Sequence, residues 1–394
     1  MKHLEHDPVV VAYARTPIGK YAGILSHIRP DDMLAHMLSK LISGNSIDVE
    51  DIDEVIIGCA NQAGEDNRNI ARMAVLLAKM PHSISAITLN RLCASGLDAI
   101  IDGARRIIVG EAQLIIAGGV ESMSRAPYVI EKPSSSFKLG APQVHDSSLG
   151  WRFFNDKMRE HTPPEPNGVT AERLAEHYKI DRIKQDEFAL LSHQRSVTSQ
   201  KNGFFKEEII PIDGLDTDEG PRIDTSIEKL SSLKAAFVQN GSVTAGNSSS
   251  LNDGACVLAI CSHQYAKDHG LTPKARIVGF ASAGVDPKIM GIGPVPATHK
   301  LMKQSGLSIN DFSALEINEA FAAQVLSVID VLQIDPNRVN QRGGAIALGH
   351  PLGCSGARIV ATLIHHLNQS SGGLGLATLC VGVGQGVSLA VEAL

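Results

Sequence analysis

Two separated stretches of this chain carry one pattern. Residues 47–58 read Ile-Asp-Val-Glu-Asp-Ile-Asp-Glu-Val-Ile-Ile-Gly, and residues 307–318 read Leu-Ser-Ile-Asn-Asp-Phe-Ser-Ala-Leu-Glu-Ile-Asn. Their offset of 260 residues also aligns Ser95-Gly96 with Ser355-Gly356, and Leu114-x-x-Ala117 with Leu374-x-x-Ala377. Any two α/β units share some pattern, but one constant offset across three segments points to an internal duplication. A duplicated chain folds as two similar halves about a pseudo-dyad, so site residues are expected to converge from both.

Short apolar runs alternate with longer helical patterns. Strands are expected at 9–12, 54–58, 112–117, 255–261, 275–280, 314–317 and 375–381. Helices are expected at 32–41, 70–77, 97–110, 170–176, 182–200, 295–304, 319–331 and 357–367. This is an α/β pattern, and its strands lack polar alternation, which predicts a mostly parallel sheet covered on both faces. The stretch 121–246 differs. It holds Pro133-Ser134-Ser135-Ser136, Pro163-Pro164-Glu165-Pro166 and an acidic turn at 213–220. The expected organisation is a first half of 1–120 plus 247–272, a loop-rich insertion at 121–246, and a second half at 273–394. Insertions on a rigid scaffold often carry ligand contacts.

Composition excludes several function classes. The net charge is −6 and aromatic residues make up 4%, with no basic run of five or six. Neither an electrostatic footprint for nucleic acid nor a supply of stacking rings is present. No apolar stretch reaches membrane-spanning length. Six cysteines, none in a C-x-x-C pair, give no zinc ribbon or disulfide framework and suit a reducing compartment. The apolar run after the first residues is too short for a signal peptide, and the final Glu392-Ala393-Leu394 is not a peroxisomal address. A cytoplasmic location is expected.

Four blocks carry chemistry. In Leu92-Cys93-Ala94-Ser95-Gly96, Cys93 stands where a helix opens, and helix N–H groups there would favour thiolate. In Gly349-His350-Pro351-Leu352-Gly353, His350 sits in a glycine-flanked loop, suited to a base or donor near neutral pH. In Cys380-Val381-Gly382-Val383-Gly384, a second thiol at a strand end is followed by glycines whose N–H groups suit an oxyanion hole. No helix follows, so a dinucleotide loop does not fit. In Asn318-Glu319-Ala320-Phe321-Ala322, Asn318 is placed to cap a helix, to order a water, or both.

Together, and in order, these blocks resemble the thiolase family. Further matches lie at 14–17, 118–124, 245–255 and 284–291, so the resemblance spans essentially the whole chain. It implies two duplicated βαβαβαββ halves in a five-layered α-β-α-β-α core, with a loop-rich insertion that binds coenzyme A. It implies an acetyl-CoA acetyltransferase or 3-ketoacyl-CoA thiolase working by ping-pong through an acyl-Cys93 intermediate. In that scheme His350 takes the Cys93 proton and Cys380 moves a proton at the α-carbon or the CoA thiol. His350 and an Asn318-held water steady the enolate, and the N–H groups of Cys93 and Gly382 hold the tetrahedral oxyanion. Ser249 and Arg222 match CoA contacts, while Met290 and Phe321 match the acyl pocket. No metal is required, no cofactor is bound permanently, and CoA and acyl-CoA are substrates. A homodimer or homotetramer is implied. Two departures, Pro166-Asn167-Gly168 in place of a His-Met-Gly and Val383 in place of Gly, favour a degradative or broader chain-length preference. A decarboxylating condensing enzyme is the alternative within the fold, and Cys380 argues against it. A non-catalytic acyl-CoA or lipid-binding relative is the alternative in another class, and the presence of Cys93, His350 and Cys380 argues against that.

Overall fold

The computed structural model describes residues 5–133, 137, 139–162 and 165–394. Within them the strands are β1 Pro8–Arg15, β2 Gly19–Lys20, β3 Glu54–Gly58, β4 Ser85–Leu89, β5 Leu114–Ser122, β6 Tyr128–Ile130, β7 Val144–Asp146, β8 Asn252–Ser262, β9 Ala275–Gly284, β10 Phe312–Ile317, β11 Leu374–Val381 and β12 Gln385–Ala393. One sheet runs β10-β11-β12-β9-β1-β8-β5-β3-β4, with β2 on β8, and β6–β7 form a separate hairpin.

That sheet is two arms joined at a narrow seam, where β1 meets β9 through Val9↔Arg276 and Val10↔Ala275. The arms repeat one another. Parallel β3–β5 corresponds to parallel β10–β11, antiparallel β5–β8 to β11–β12, and antiparallel β1–β8 to β9–β12. Because β5 starts at Leu114 and β11 at Leu374, the 260-residue offset persists in the topology. Among the described residues, β4 on the edge of the first arm and the short β2 on β8 have no counterpart strands in the second.

The sheet is mixed rather than mostly parallel: β3–β4, β3–β5 and β10–β11 are parallel and the other pairings antiparallel. The pattern misled because β8 is antiparallel yet buried at every position. Helices cover both faces, which removes polar alternation whatever the strand direction.

Three apolar clusters define five layers. Helices Pro30–Gly44 and Ile70–Leu77 pack on the outer face of the first arm around Met33, Leu38 and Val75. Helices Pro294–Ser305 and Ala322–Leu332 cover the outer face of the second around Leu301, Val325 and Val328. Between the arms lie helices Ser95–Ile108 and Leu352–Gln369, sharing a core with Ile100, Ile115, Leu258, Ile359 and Leu389. At about 25 cal/mol per Å2 removed from water, this central layer is where apolar burial stabilises both halves at once.

The stretch from Asp156 to Ser231 adds helices Asp156–His161, Asn167–His177, Arg182–Lys201 and Ile227–Ser231. A buried cation ties this region to the core. Arg15, fully buried at the end of β1, donates to Glu208 at 2.7 Å and to both oxygens of Asp218 at 2.6 and 2.9 Å. Thr362, on the central helix, reaches the same Glu208.

Candidate active site

Cys93 sits in a one-turn 3-10 helix, Leu92–Ala94, between β4 and helix Ser95–Ile108. Leu92 turns the chain with φ of +47°, a conformation costing about 1–3 kcal/mol outside glycine. Ser95 stabilises the turn, accepting from Arg91 N–H at 2.9 Å and donating to the Leu92 carbonyl at 2.6 Å. The backbone N–H groups of Gly382 and of Cys93 itself favour the thiolate. Burial outweighs them and pushes the Cys93 thiol up to about 11, so the resting group is a thiol and needs a base.

His350 lies in the loop before helix Leu352–Gln369. Its backbone N–H donates to Asn252 Oδ1 at 3.0 Å. Its Nδ1 is 2.6 Å from Ser355 Oγ, which donates its own proton to the Pro351 carbonyl at 2.9 Å. Ser355 therefore accepts from Nδ1–H, and the free lone pair is on Nε2. Burial, with Arg358 nearby, lowers the imidazole to about 3, so His350 rests neutral, a form that accepts a proton.

Asn318 follows β10 and is 1% exposed. It caps no helix: the helix begins at Ala322 with Phe321 as its N-cap. The helix starts late because residues 318–321 pair with a loop instead. Ser249 N–H donates to the Ala320 carbonyl at 3.0 Å, and Ala322 N–H to the Asn247 carbonyl at 2.9 Å. Asn318 Nδ2 approaches His350 Nε2 at 3.4 Å, which fits the lone pair placed there, while its Oδ1 is buried without a partner among the described residues.

Cys380 is the penultimate residue of β11, its thiol pushed well up by burial and then by the Cys93 sulfur. Gly382 has Trp151 and Leu92 so close that a Cβ would lie 3.2 and 3.3 Å from their side chains. Val383 holds φ of +64°, strained for a β-branched residue.

These elements meet on one cavity of about 640 Å3. Cys93, His350, Cys380 and Gly382 line it, and so do Ser249, Met290 and Phe321. Asn318 stands behind His350 rather than on the wall. Arg222 is exposed and lies off the cavity wall, with its backbone N–H on His193 Nδ1 at 3.1 Å. Among the described residues no group of three or more His, Cys, Asp and Glu is placed to hold a metal. No helix of the described residues is long and apolar enough to cross a membrane.

Several wall and support residues escaped the sequence reading. Glu319 accepts from Ser192 Oγ, Asn340 Nδ2 and Ile346 N–H at 2.6 to 3.0 Å, pinning the Asn318 segment to the start of the His350 loop. Glu121 accepts from the N–H groups of Ala60, Asn61 and Gly353, and burial raises it to about 7. Both lie inside blocks whose pattern was noted without a role. Trp151, the lone tryptophan, was an available signal, and it covers Gly382. Phe237 stacks edge-on against Phe321 at 6.0 Å and fills the space over Gly168.

Comparison with known proteins matches both halves. Residues 8–264 fit the description "Thiolase, N-terminal domain" and residues 271–393 fit "Thiolase, C-terminal domain". The chain belongs to the thiolase family. It is 52% identical to a beta-ketoadipyl-CoA thiolase of Pseudomonas aeruginosa, covering 96% of this chain and 97% of that one. It is 51% identical to the 3-oxoadipyl-CoA/3-oxo-5,6-dehydrosuberyl-CoA thiolase of Escherichia coli K12, over 96% and 97% of the two chains. The crystal structure of human mitochondrial 3-ketoacyl-CoA thiolase in complex with CoA superimposes with a TM-score of 0.93 at 39% identity, covering 100% of both chains. As a thiolase, this protein is an acyltransferase that reversibly cleaves 3-ketoacyl-CoA, or condenses acyl-CoA with acetyl-CoA, by ping-pong through an acyl-cysteine.

Proposed function

We propose that this thiolase cleaves 3-oxoadipyl-CoA with CoA, releasing acetyl-CoA and succinyl-CoA. The observation that carries this reading is the 52% and 51% identity, over 96% of the chain, to two thiolases named for that substrate.

The chemistry is assigned to named residues. Cys93 gives its proton to Nε2 of neutral His350 and attacks the 3-keto carbon. The oxyanion that forms lies against the N–H groups of Cys93 and Gly382, already directed at the sulfur. The C2–C3 bond then breaks, its electron pair passing to the α-carbon of the leaving acetyl-CoA. Cys380, whose raised pKa keeps it a proton donor, protonates that carbon. The succinyl group stays on Cys93 until CoA enters, loses its thiol proton to Cys380 and attacks the thioester carbonyl; the bond to Cys93 breaks, succinyl-CoA leaves, and the Cys93 sulfur takes its proton back from His350. Asn318 steadies His350 from behind, and its unpartnered Oδ1 suits a bound water. Ser249, Met290 and Phe321 line the path of pantetheine and acyl chain, and CoA serves as substrate rather than resident cofactor. Arg222, exposed and off the cavity wall, is assigned to the CoA nucleotide on the family pattern alone.

The experiment compares thiolysis of 3-oxoadipyl-CoA, acetoacetyl-CoA and a long-chain 3-ketoacyl-CoA by the purified protein. A kcat/KM highest for 3-oxoadipyl-CoA supports the reading. A preference for either neutral substrate overturns it.

A further inference from the structure

The cavity wall carries one cationic Lys or Arg among the described residues, Arg152. It is half-buried, next to Trp151, and Trp151 lies over Gly382 at the catalytic turn. No carboxylate of the described residues pairs with it. Its one hydrogen bond runs from a guanidinium nitrogen to the Ser147 carbonyl at 3.4 Å. Asn61 Nδ2 donates to the same carbonyl at 3.4 Å and to Ser147 Oγ at 3.0 Å. Arg152, Ser147 and Asn61 thus form a polar corner on the cavity wall. Asn61 is in turn fixed through its backbone to Glu121, which also holds Gly353 beside the His350 loop. A guanidinium without a counter-ion on a cavity wall is a site for an anion, because its planar fork matches a carboxylate.

We propose that Arg152 pairs with the terminal carboxylate of a dicarboxylic acyl chain and so selects for it. The inference rests on the substrate reading above. After cleavage that carboxylate sits two methylenes beyond the carbonyl carbon on Cys93, so its partner must belong to the wall next to the catalytic turn. Arg152 does. A carboxylate without a cationic partner would be costly here, because most of the exposed cavity wall is apolar and its polar groups besides Arg152 are neutral Ser, Asn and His side chains and the acidic Glu121. The one acidic wall residue among the described residues, Glu121, does not compete for the cation, since three N–H groups hold its oxygens.

The test is Arg152→Gln, with thiolysis measured on 3-oxoadipyl-CoA and on 3-oxohexanoyl-CoA, which has the same chain length and no terminal charge. The expected result is a fall of about 100-fold in kcat/KM for the dicarboxylic substrate, a change of less than about threefold for the neutral one, and an unchanged KM for CoA. The neutral substrate also reports that the variant is folded. A parallel loss on both substrates with a raised KM for CoA overturns the proposal and places a CoA phosphate on Arg152. Equal activity of wild type and variant on both substrates overturns it as well. If wild type itself shows no preference for 3-oxoadipyl-CoA, the substrate reading has failed. If wild type prefers it and Arg152→Gln keeps the preference, only the assignment of Arg152 has failed.

Discussion

Ser355 Oγ lies 2.6 Å from His350 Nδ1, and Ser95, its counterpart 260 residues earlier, closes the turn that carries Cys93 through bonds of 2.6 and 2.9 Å. The two serines do one job in the two halves. Each lies in the first turn of a central helix, donates to a carbonyl of the preceding turn, and accepts a hydrogen bond from a group just before it. The duplication therefore brings Cys93 from one half and His350 from the other, the nucleophile and base of the proposed reaction, to one cavity.

Ser355→Ala removes the acceptor that holds the proton on Nδ1. Partners behind a histidine ring typically contribute about 10–100-fold, so kcat is expected to fall in that range with little change in KM. Steady-state kinetics check this. Ser355→Thr, which keeps the hydroxyl, recovers activity, whereas loss of packing alone would leave both variants impaired.

Gly96 and Gly356 let the central helices touch. A Cβ on Gly356 would sit 2.3 Å from the Leu97 backbone nitrogen, and one on Gly96 2.5 Å from the Gly353 carbonyl oxygen. Backbone cannot yield as a flexible side chain does. Gly356→Ala is expected to cost about 1–3 kcal/mol or more, and to lower activity because both catalytic turns sit on these helices. Denaturant unfolding measures the first effect and thiolysis the second.

Arg15→Met leaves Glu208 and Asp218 buried without their cation. Breaking one side of a buried ion network costs about 3–5 kcal/mol. Thermal unfolding should show a marked drop, while Lys229→Met, at an exposed pair with Asp224, should leave stability within about 0.5 kcal/mol.

The resting thiol of Cys93 sets a pH dependence. Its pKa is raised to about 11 by burial, so the thiolate fraction grows as pH rises and is small at neutrality. Alkylation by iodoacetamide, followed on the Cys93 peptide, is expected to keep accelerating between about pH 8 and 10. A rate already flat across that interval points instead to a preformed thiolate.

Much of this was legible in the sequence. The 260-residue offset reappears in the strand pairings, and the blocks around Cys93, His350 and Cys380 meet on one cavity. What stayed hidden depended on long-range contacts. β4 and β12 were not anticipated: Ser85–Leu89 is a short edge strand, and Gln385–Ala393 was read only as the tail of a glycine-rich turn. The helix expected from Glu319 begins at Ala322, because backbone pairing with Asn247 and Ser249 captures the residues before it. The stabilisation of thiolate expected of Cys93 from a helix end comes instead from the N–H groups of Gly382 and of Cys93 itself, and burial, invisible in sequence, is larger. Arg152 carried no signal, since a lone arginine in a loop-rich stretch looks like any surface charge until the cavity forms around it.

The most direct test mixes the protein with 3-oxoadipyl-CoA in the absence of CoA, quenches in acid and maps the modified peptide by mass spectrometry. The account predicts a succinyl thioester on Cys93 and none on Cys380, lost on adding CoA and absent in Cys93→Ala. A succinyl group on Cys380, or release of acetyl-CoA by Cys93→Ala at the wild-type rate, would contradict it.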